Sequence, residues 1–226
     1  MELDLKYIVV GTGRCGTVYM ARVLTELGFP CGHETIFNER GIFLQSKDWD
    51  LSKISQETTG NWLEDKTKIV ADSSYMAVPH MYNFPNSKII HVIRDPIKVI
   101  RSFFYGMNYF CSSKASNPWE EYIYKYLPEL KKDMTQIERC CLYYVLWNEM
   151  IFKKDLLVKL EDGEDSILKF FNSNKKLAVS SKTNTFTLEN GFRKELYVEH
   201  IPNGEIKQRL LEYAQRIGYN LEIKLF

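Results

Sequence analysis

The sequence predicts an α/β fold with helices flanking a central, mainly parallel sheet, and three observations predict it. Four short apolar runs bounded by turn or capping residues read as buried strands: Tyr7 to Val10, Ile69 to Ala71, Lys88 to Ile93 and Leu156 to Leu160. Each precedes a stretch of helical character, the signature of βαβ units. The first run ends in a glycine-rich turn, GTGRCGT at Gly11 to Thr17, that opens a helix.

The elements follow in order. Val18 to Leu27 carries Met20, Val23, Leu24 and Leu27 on one face and is closed by Gly28. Phe29 to Gly32 is a further, very short strand candidate. Asp95 and Pro96 are an N-cap and first-turn pair for a helix running through Phe103. Helices are also expected over Thr135 to Lys153 and Gly204 to Ile217. Trp147, Tyr143 and Tyr144 sit at helical spacing and read as core. Glu39 to Lys68 and Ser112 to Pro118 are polar and weakly patterned, which marks irregular insertions. A chain of 226 residues fits one α/β domain, 1–226, with insertions near 39–68 and 112–128.

Composition narrows the partners. A formal net charge of +1 gives no general attraction for nucleic acid or an anionic membrane, so any polyanionic ligand must be held by local groups. Five cysteines (Cys15, Cys31, Cys111, Cys140, Cys141) with no CxxC pair argue against a disulfide framework or structural zinc, and for a reducing, cytoplasmic setting. His80, His91 and His200 show no metal spacing. The amino terminus, MELDLKYIVV, carries acids where a signal peptide carries bases, and no stretch approaches the roughly 20 apolar residues of a membrane span.

The chemistry concentrates in YIVVGTGRCGTVYMARVL, a strand, a turn and a helix in that order. The first amides of a helix have no intrahelical partner and, with the helix dipole, form an anion site. Gly11, Gly13 and Gly16 are expected to take positive φ and let the backbone approach an oxyanion, with Thr17 adding a hydroxyl. The string also satisfies GxGxxG, with Glu34 near the place of a ribose-binding acid, and GxxxxG of nucleoside-triphosphate loops. The lysine that should follow the latter is missing; Thr17 stands there, and Arg14 lies inside the loop. Cys15 at a helix start has the position of a low-pKa nucleophile, but Arg22 is one residue too far for a Cys-x5-Arg loop.

A second segment, SKIIHVIRDPIKVIRSFF, puts Arg94 at the carboxyl end of a strand and Ser102 two turns into the following helix. Carboxyl ends of parallel strands share one edge, so Arg94 is expected at the same edge as the Gly11 loop. GTGRCGT and IIHVIRDPIKVIRSF together resemble the sulfotransferase superfamily, in its variant with RxGT in the first loop. VADSSYM and LLVKLED are similar to two further segments of that family, and the resemblance covers about residues 7 to 162.

The resemblance implies a three-layer P-loop-type fold and transfer of a sulfuryl group from 3'-phosphoadenosine 5'-phosphosulfate to an acceptor hydroxyl or amine. Gly13, Arg14, Cys15, Gly16, Thr17 and Val18 would hold the 5'-phosphosulfate, and Arg94 and Ser102 the 3'-phosphate. The by-product would be 3'-phosphoadenosine 5'-phosphate. Arg14 and the loop amides can stabilise charge on the leaving oxygen without a metal. Glu34 is the first choice of general base, with His33 the alternative; adjacent residues on an extended segment are expected to face opposite ways. Asp72, Ser73 and Ser74 end a strand at this edge and are candidates to orient the sulfate or the acceptor, with Asp72 as the cap of the following helix the alternative. Arg193 and Lys194 are candidates for a lid, and Trp62 and Tyr75 for a pocket. The competing readings are a nucleotide kinase or other phosphotransferase, a nicotinamide-dependent oxidoreductase, and a nucleotide-binding module without turnover.

Overall fold

The computed structural model describes residues 5–38, 69–111, 118–179 and 195–221. Trp62, Arg193, Lys194, the insertion at 39–68 and residues 112–117 lie outside them. The chain forms two compact units, Met1–Ile93 with Met150–Phe186 and Arg94–Glu149 with Thr187–Phe226.

The first unit holds a five-stranded, all-parallel sheet in the order β2-β3-β1-β4-β5. The strands are β1 (Tyr7–Val10), β2 (Cys31–His33), β3 (Ala71–Ser73), β4 (Lys88–Ile93) and β5 (Leu156–Lys159). The class and the parallel sheet are those the sequence predicts. Central strand β1 is apolar throughout its buried length (Ile8, Val9, Val10), as a parallel strand covered on both faces must be. β1 pairs with β4 through Val10 opposite His91, and with β3 through Val9 opposite Ser73.

β3 differs from expectation. The apolar run at Ile69 to Ala71 suggested the strand, but the ladder uses Ala71, Asp72 and Ser73, two of them buried polar residues. Their side chains are bonded, which lets polar groups occupy an interior strand. No long helix follows it among the described residues; two 3-10 turns, Tyr75–Ala77 and Met81–Asn83, lead on to β4.

Helix α1 (Thr17–Glu26) packs against β1, β2 and β3 and buries Tyr19, Met20, Val23 and Leu24. It ends in a Schellman closure: Phe29 N–H donates to Leu24 O and Gly28 N–H to Thr25 O, with Gly28 at φ 93.

The second unit is helical in its described parts. It comprises α2 (Pro96–Arg101), a π-helical turn over Ser102–Gly106, α3 (Pro118–Tyr126), α4 (Gln136–Glu149) and α6 (Glu205–Arg216); α5 (Asp165–Phe170) belongs to the first unit. Asp95 caps α2, its carboxylate accepting from Ile97 N–H and Lys98 N–H, as its place before Pro96 predicts. α3 occupies part of the segment where the sequence offered no pattern. Its signal was local, Pro118 followed by Glu120 and Glu121 in the first turn.

α4 opens with a capping box. Thr135 N–H donates to Glu138 Oε2 at 2.9 Å, and Glu138 N–H reaches back to Thr135 Oγ1 at 3.4 Å. The helix stops at Glu149, four residues before the expected end. Met150 O and Lys153 N–H bond instead to the Tyr82 hydroxyl. Tyr143, Tyr144 and Trp147 are fully buried core residues, as their spacing implied.

Candidate active site

The Gly11–Thr17 turn is built by three different constraints. Gly11 is demanded by packing, because a Cβ there would meet Val92 O at 2.3 Å. This corrects the expectation of positive φ at Gly11, and Gly13 does not take it either. The left-handed positions are Gly16, at φ 104, and Arg14, at φ 67. A non-glycine residue in that region costs energy, and such strain concentrates where a ligand or switch uses it. Inside the turn, Thr12 and Cys15 are buried, with Thr12 Oγ1 2.7 Å from Cys15 Sγ and Cys15 N–H directed to Thr12 O at 3.4 Å. Cys15 is thus a packed loop residue with no exposed sulfur. Gly16 caps α1 without any side-chain acceptor for the first-turn amides, an arrangement suited to an anion. Gly13 and Thr17 are buried, Arg14 and Gly16 half-buried, and Val18 is 38% exposed.

The end of β2 reaches this turn. His33 Nε2 lies 3.1 Å from Thr17 Oγ1 and 3.6 Å from Glu34 Oε1. The two neighbours therefore share one side, contrary to the alternation expected of an extended segment. Glu34 has left the strand for the left-handed region, at φ 51, and its carboxylate turns back toward the ring. Burial pushes the His33 pKa down to about 4. The imidazole is then neutral at neutral pH, and its 3.6 Å contact with Glu34 is that of a neutral ring beside a carboxylate rather than an ion pair.

The three polar residues after Val70 have backbone-holding roles. Asp72 Oδ1 accepts from Thr35 N–H at 3.1 Å, and Oδ2 accepts from Ile36 N–H at 3.2 Å and Phe37 N–H at 3.0 Å. Ser73 Oγ donates to Thr17 O at 2.7 Å, tying β3 to the start of α1. Ser74 Oγ donates to Phe37 O at 2.7 Å and accepts from Met76 N–H, so it caps the 3-10 turn that Tyr75 begins. Asp72 does not cap a following helix, the alternative its position offered; it caps the loop after β2. Burial raises its pKa to about 6 against the opposing pull of the amides of Phe37, Thr35, Ile36 and Ser73. Nothing local in the sequence pairs Asp72 with residues 35–37, because the partners are 35 to 37 positions away.

In the second unit, Arg94 begins the chain after β4 and precedes the Asp95 cap. Its carbonyl accepts the buried Tyr144 hydroxyl at 2.9 Å. Tyr144 was expected to be core alone; the polar end of the ring also fixes the Arg94 backbone. Ser102 is buried and starts the π-helical turn, with Met107 N–H donating to Ser102 O at 2.8 Å. π turns of this kind recur at functional sites.

Among the described residues, no group of three or more His, Cys, Asp or Glu side chains has the arrangement of a metal site. No described helix is long and apolar enough to cross a membrane. None of the five cysteines, all of them among the described residues, forms a disulfide.

The first strand of the parallel sheet thus runs through a glycine-bearing turn into α1, and His33 and Glu34 at the end of β2 lie beside the start of that helix. Comparison with protein families matches the chain to the sulfotransferase domain over residues 6–194. The chain belongs to that family. A comparison with curated proteins returns no match.

Proposed function

We propose that this sulfotransferase-domain protein transfers a sulfuryl group from 3'-phosphoadenosine 5'-phosphosulfate to an acceptor hydroxyl or amine, with Glu34 as general base and no metal ion. The carrying observation is the convergence of Thr17, His33 and Glu34 on the Gly11–Thr17 turn. Three features support that use of the turn: α1 lacks a side-chain cap, Gly16 takes a left-handed φ of 104, and Arg14 supplies a cation within the loop. The donor supplies a sulfuryl group on a phosphate leaving group.

Arg14 and the amides around Gly13, Cys15, Gly16, Thr17 and Val18 stabilise the charge that grows on the bridging oxygen. Glu34 accepts the acceptor's proton at its carboxylate. Burial keeps the His33 ring neutral, where it holds the Thr17 hydroxyl, and leaves the Glu34 carboxylate 3.6 Å away as the anionic acceptor for the proton. On the strength of their motif, Arg94 and Ser102 hold the 3'-phosphate, and both units act as one sulfotransferase domain. Five cysteines without a disulfide fit a reducing, cytoplasmic location.

The deciding experiment is a transfer screen with sulfate-labelled donor against sugars, phenols, tyrosyl peptides and lipids. Label should move to one of these classes and not do so in Glu34→Gln. Label that stays on the donor with every class contradicts the proposal.

A further inference from the structure

Asp72 lies in β3 and is fully buried, yet its carboxylate accepts three N–H groups in a row, from Thr35, Ile36 and Phe37. These are the residues directly after Glu34. Two further bonds tie the same turn to the strand end: Glu34 N–H donates to Ser73 O at 3.2 Å, and Ser74 Oγ donates to Phe37 O at 2.7 Å. Gly32 leaves room for this arrangement, since a Cβ there would meet Thr35 Oγ1 at 2.4 Å and Asp72 Oδ1 at 2.7 Å. The turn begins at a strained residue, Glu34 at φ 51, which persists only if its surroundings hold it. A buried carboxylate is a poor device for stability alone, because its desolvation offsets the bonds it makes; what it supplies is a fixed geometry.

We propose that Asp72 is a positioning residue for sulfuryl transfer, clamping the 34–37 turn so that the Glu34 carboxylate stays beside the His33 ring and the Thr17 hydroxyl. The proposal rests on Glu34 being the base. Asp72 touches neither reactant; it acts through the backbone that carries Glu34.

The test uses the full chain and the substitution Asp72→Asn, which keeps volume and one acceptor oxygen but turns an amide group toward the three N–H donors. Three readouts are taken: the His33 ring titration by nuclear magnetic resonance, binding of 3'-phosphoadenosine 5'-phosphate by calorimetry, and release of labelled sulfate from the donor to water. The His33 midpoint should move from about 4 toward its ordinary 6.5, because a loosened turn hydrates the ring. Sulfate release should fall about tenfold or more while nucleotide affinity changes less than about twofold, the split expected of a misplaced base. An unchanged midpoint and an unchanged release rate overturn the proposal.

Glu34→Gln, run alongside, separates the two claims. If it abolishes release and Asp72→Asn does not, the positioning role fails and the base assignment stands. If Glu34→Gln releases sulfate at the normal rate, the base assignment itself fails and takes the positioning role with it. Should Asp72→Asn not fold, amide exchange in the unaltered protein decides: Thr35, Ile36 and Phe37 should exchange slowly and together, and exchange at open-chain rates overturns the clamp.

Discussion

Thr17 Oγ1 and His33 Nε2 lie 3.1 Å apart, so the first residue of α1 and the last residue of β2 are joined by one hydrogen bond at the mouth of the glycine-bearing turn. The contact links the loop proposed to bind the donor to the residue beside the proposed base. Thr17→Val removes the hydroxyl at nearly constant volume. It should weaken binding of 3'-phosphoadenosine 5'-phosphate by about tenfold, the worth of one hydrogen bond to a charged group, whereas Thr17→Ser should bind normally. Calorimetry on the three proteins checks this, and equal affinities would remove Thr17 from the site.

The two outer glycines of the loop should fail differently. Gly11→Ala sets a methyl group against the Val92 carbonyl, which cannot move without disturbing β4, and should cost about 2–3 kcal/mol of stability. Gly16→Ala meets the flexible Leu160 side chain and a φ of 104, and should cost about 1–2 kcal/mol while weakening nucleotide binding. Urea unfolding of both variants gives the order directly.

Two buried groups make opposite contributions to stability as pH changes. His33 loses its proton near pH 4 in the folded chain and near 6.5 when unfolded, so its contribution rises with pH between those values. Asp72 keeps its proton to about pH 6 when folded but to about 3.8 when unfolded, so its contribution falls as pH rises through that range. Each amounts to about 3 kcal/mol, and the two largely offset. His33→Gln removes one of them. The stability of the unaltered protein relative to this variant should therefore grow by about 3 kcal/mol from pH 4 to 6.5; parallel curves would show that His33 is not held neutral by burial.

Arg94 should be sensitive to a residue that bonds its backbone carbonyl. Tyr144→Phe deletes the hydroxyl that donates to Arg94 O. It should weaken the 3',5'-bisphosphate several-fold and leave adenosine 5'-phosphate unaffected, with Arg94→Ala showing the same pattern more strongly. Equal losses for both nucleotides in Arg94→Ala would remove the 3'-phosphate role.

The legible parts of this fold were those encoded locally. β1, β4 and β5 announce themselves as apolar runs, and Asp95 with Pro96 marks a helix start, because a buried parallel strand and a helix cap are each specified by a few adjacent residues. β3 was displaced by two residues because Asp72 and Ser73 are buried by virtue of partners far along the chain. The loop's residues were also readable, but not the division of labour within it. Gly11 serves a neighbouring strand that is remote in sequence, and Arg14, a residue with a Cβ, takes a left-handed conformation. The meeting of His33 and Glu34 on one side depended on a single backbone torsion that adjacency could not reveal.

The proposed activity stands on the turn at Gly11 to Thr17 serving a phosphosulfate donor. Calorimetric titration of the protein with 3'-phosphoadenosine 5'-phosphate, and separately with ATP and magnesium, tests it most directly. The bisphosphate should bind more tightly, with an affinity unchanged by a metal chelator and lost in Arg14→Gly, which keeps the left-handed backbone but removes the cation. Tighter binding of ATP with magnesium, abolished by the chelator, would contradict it.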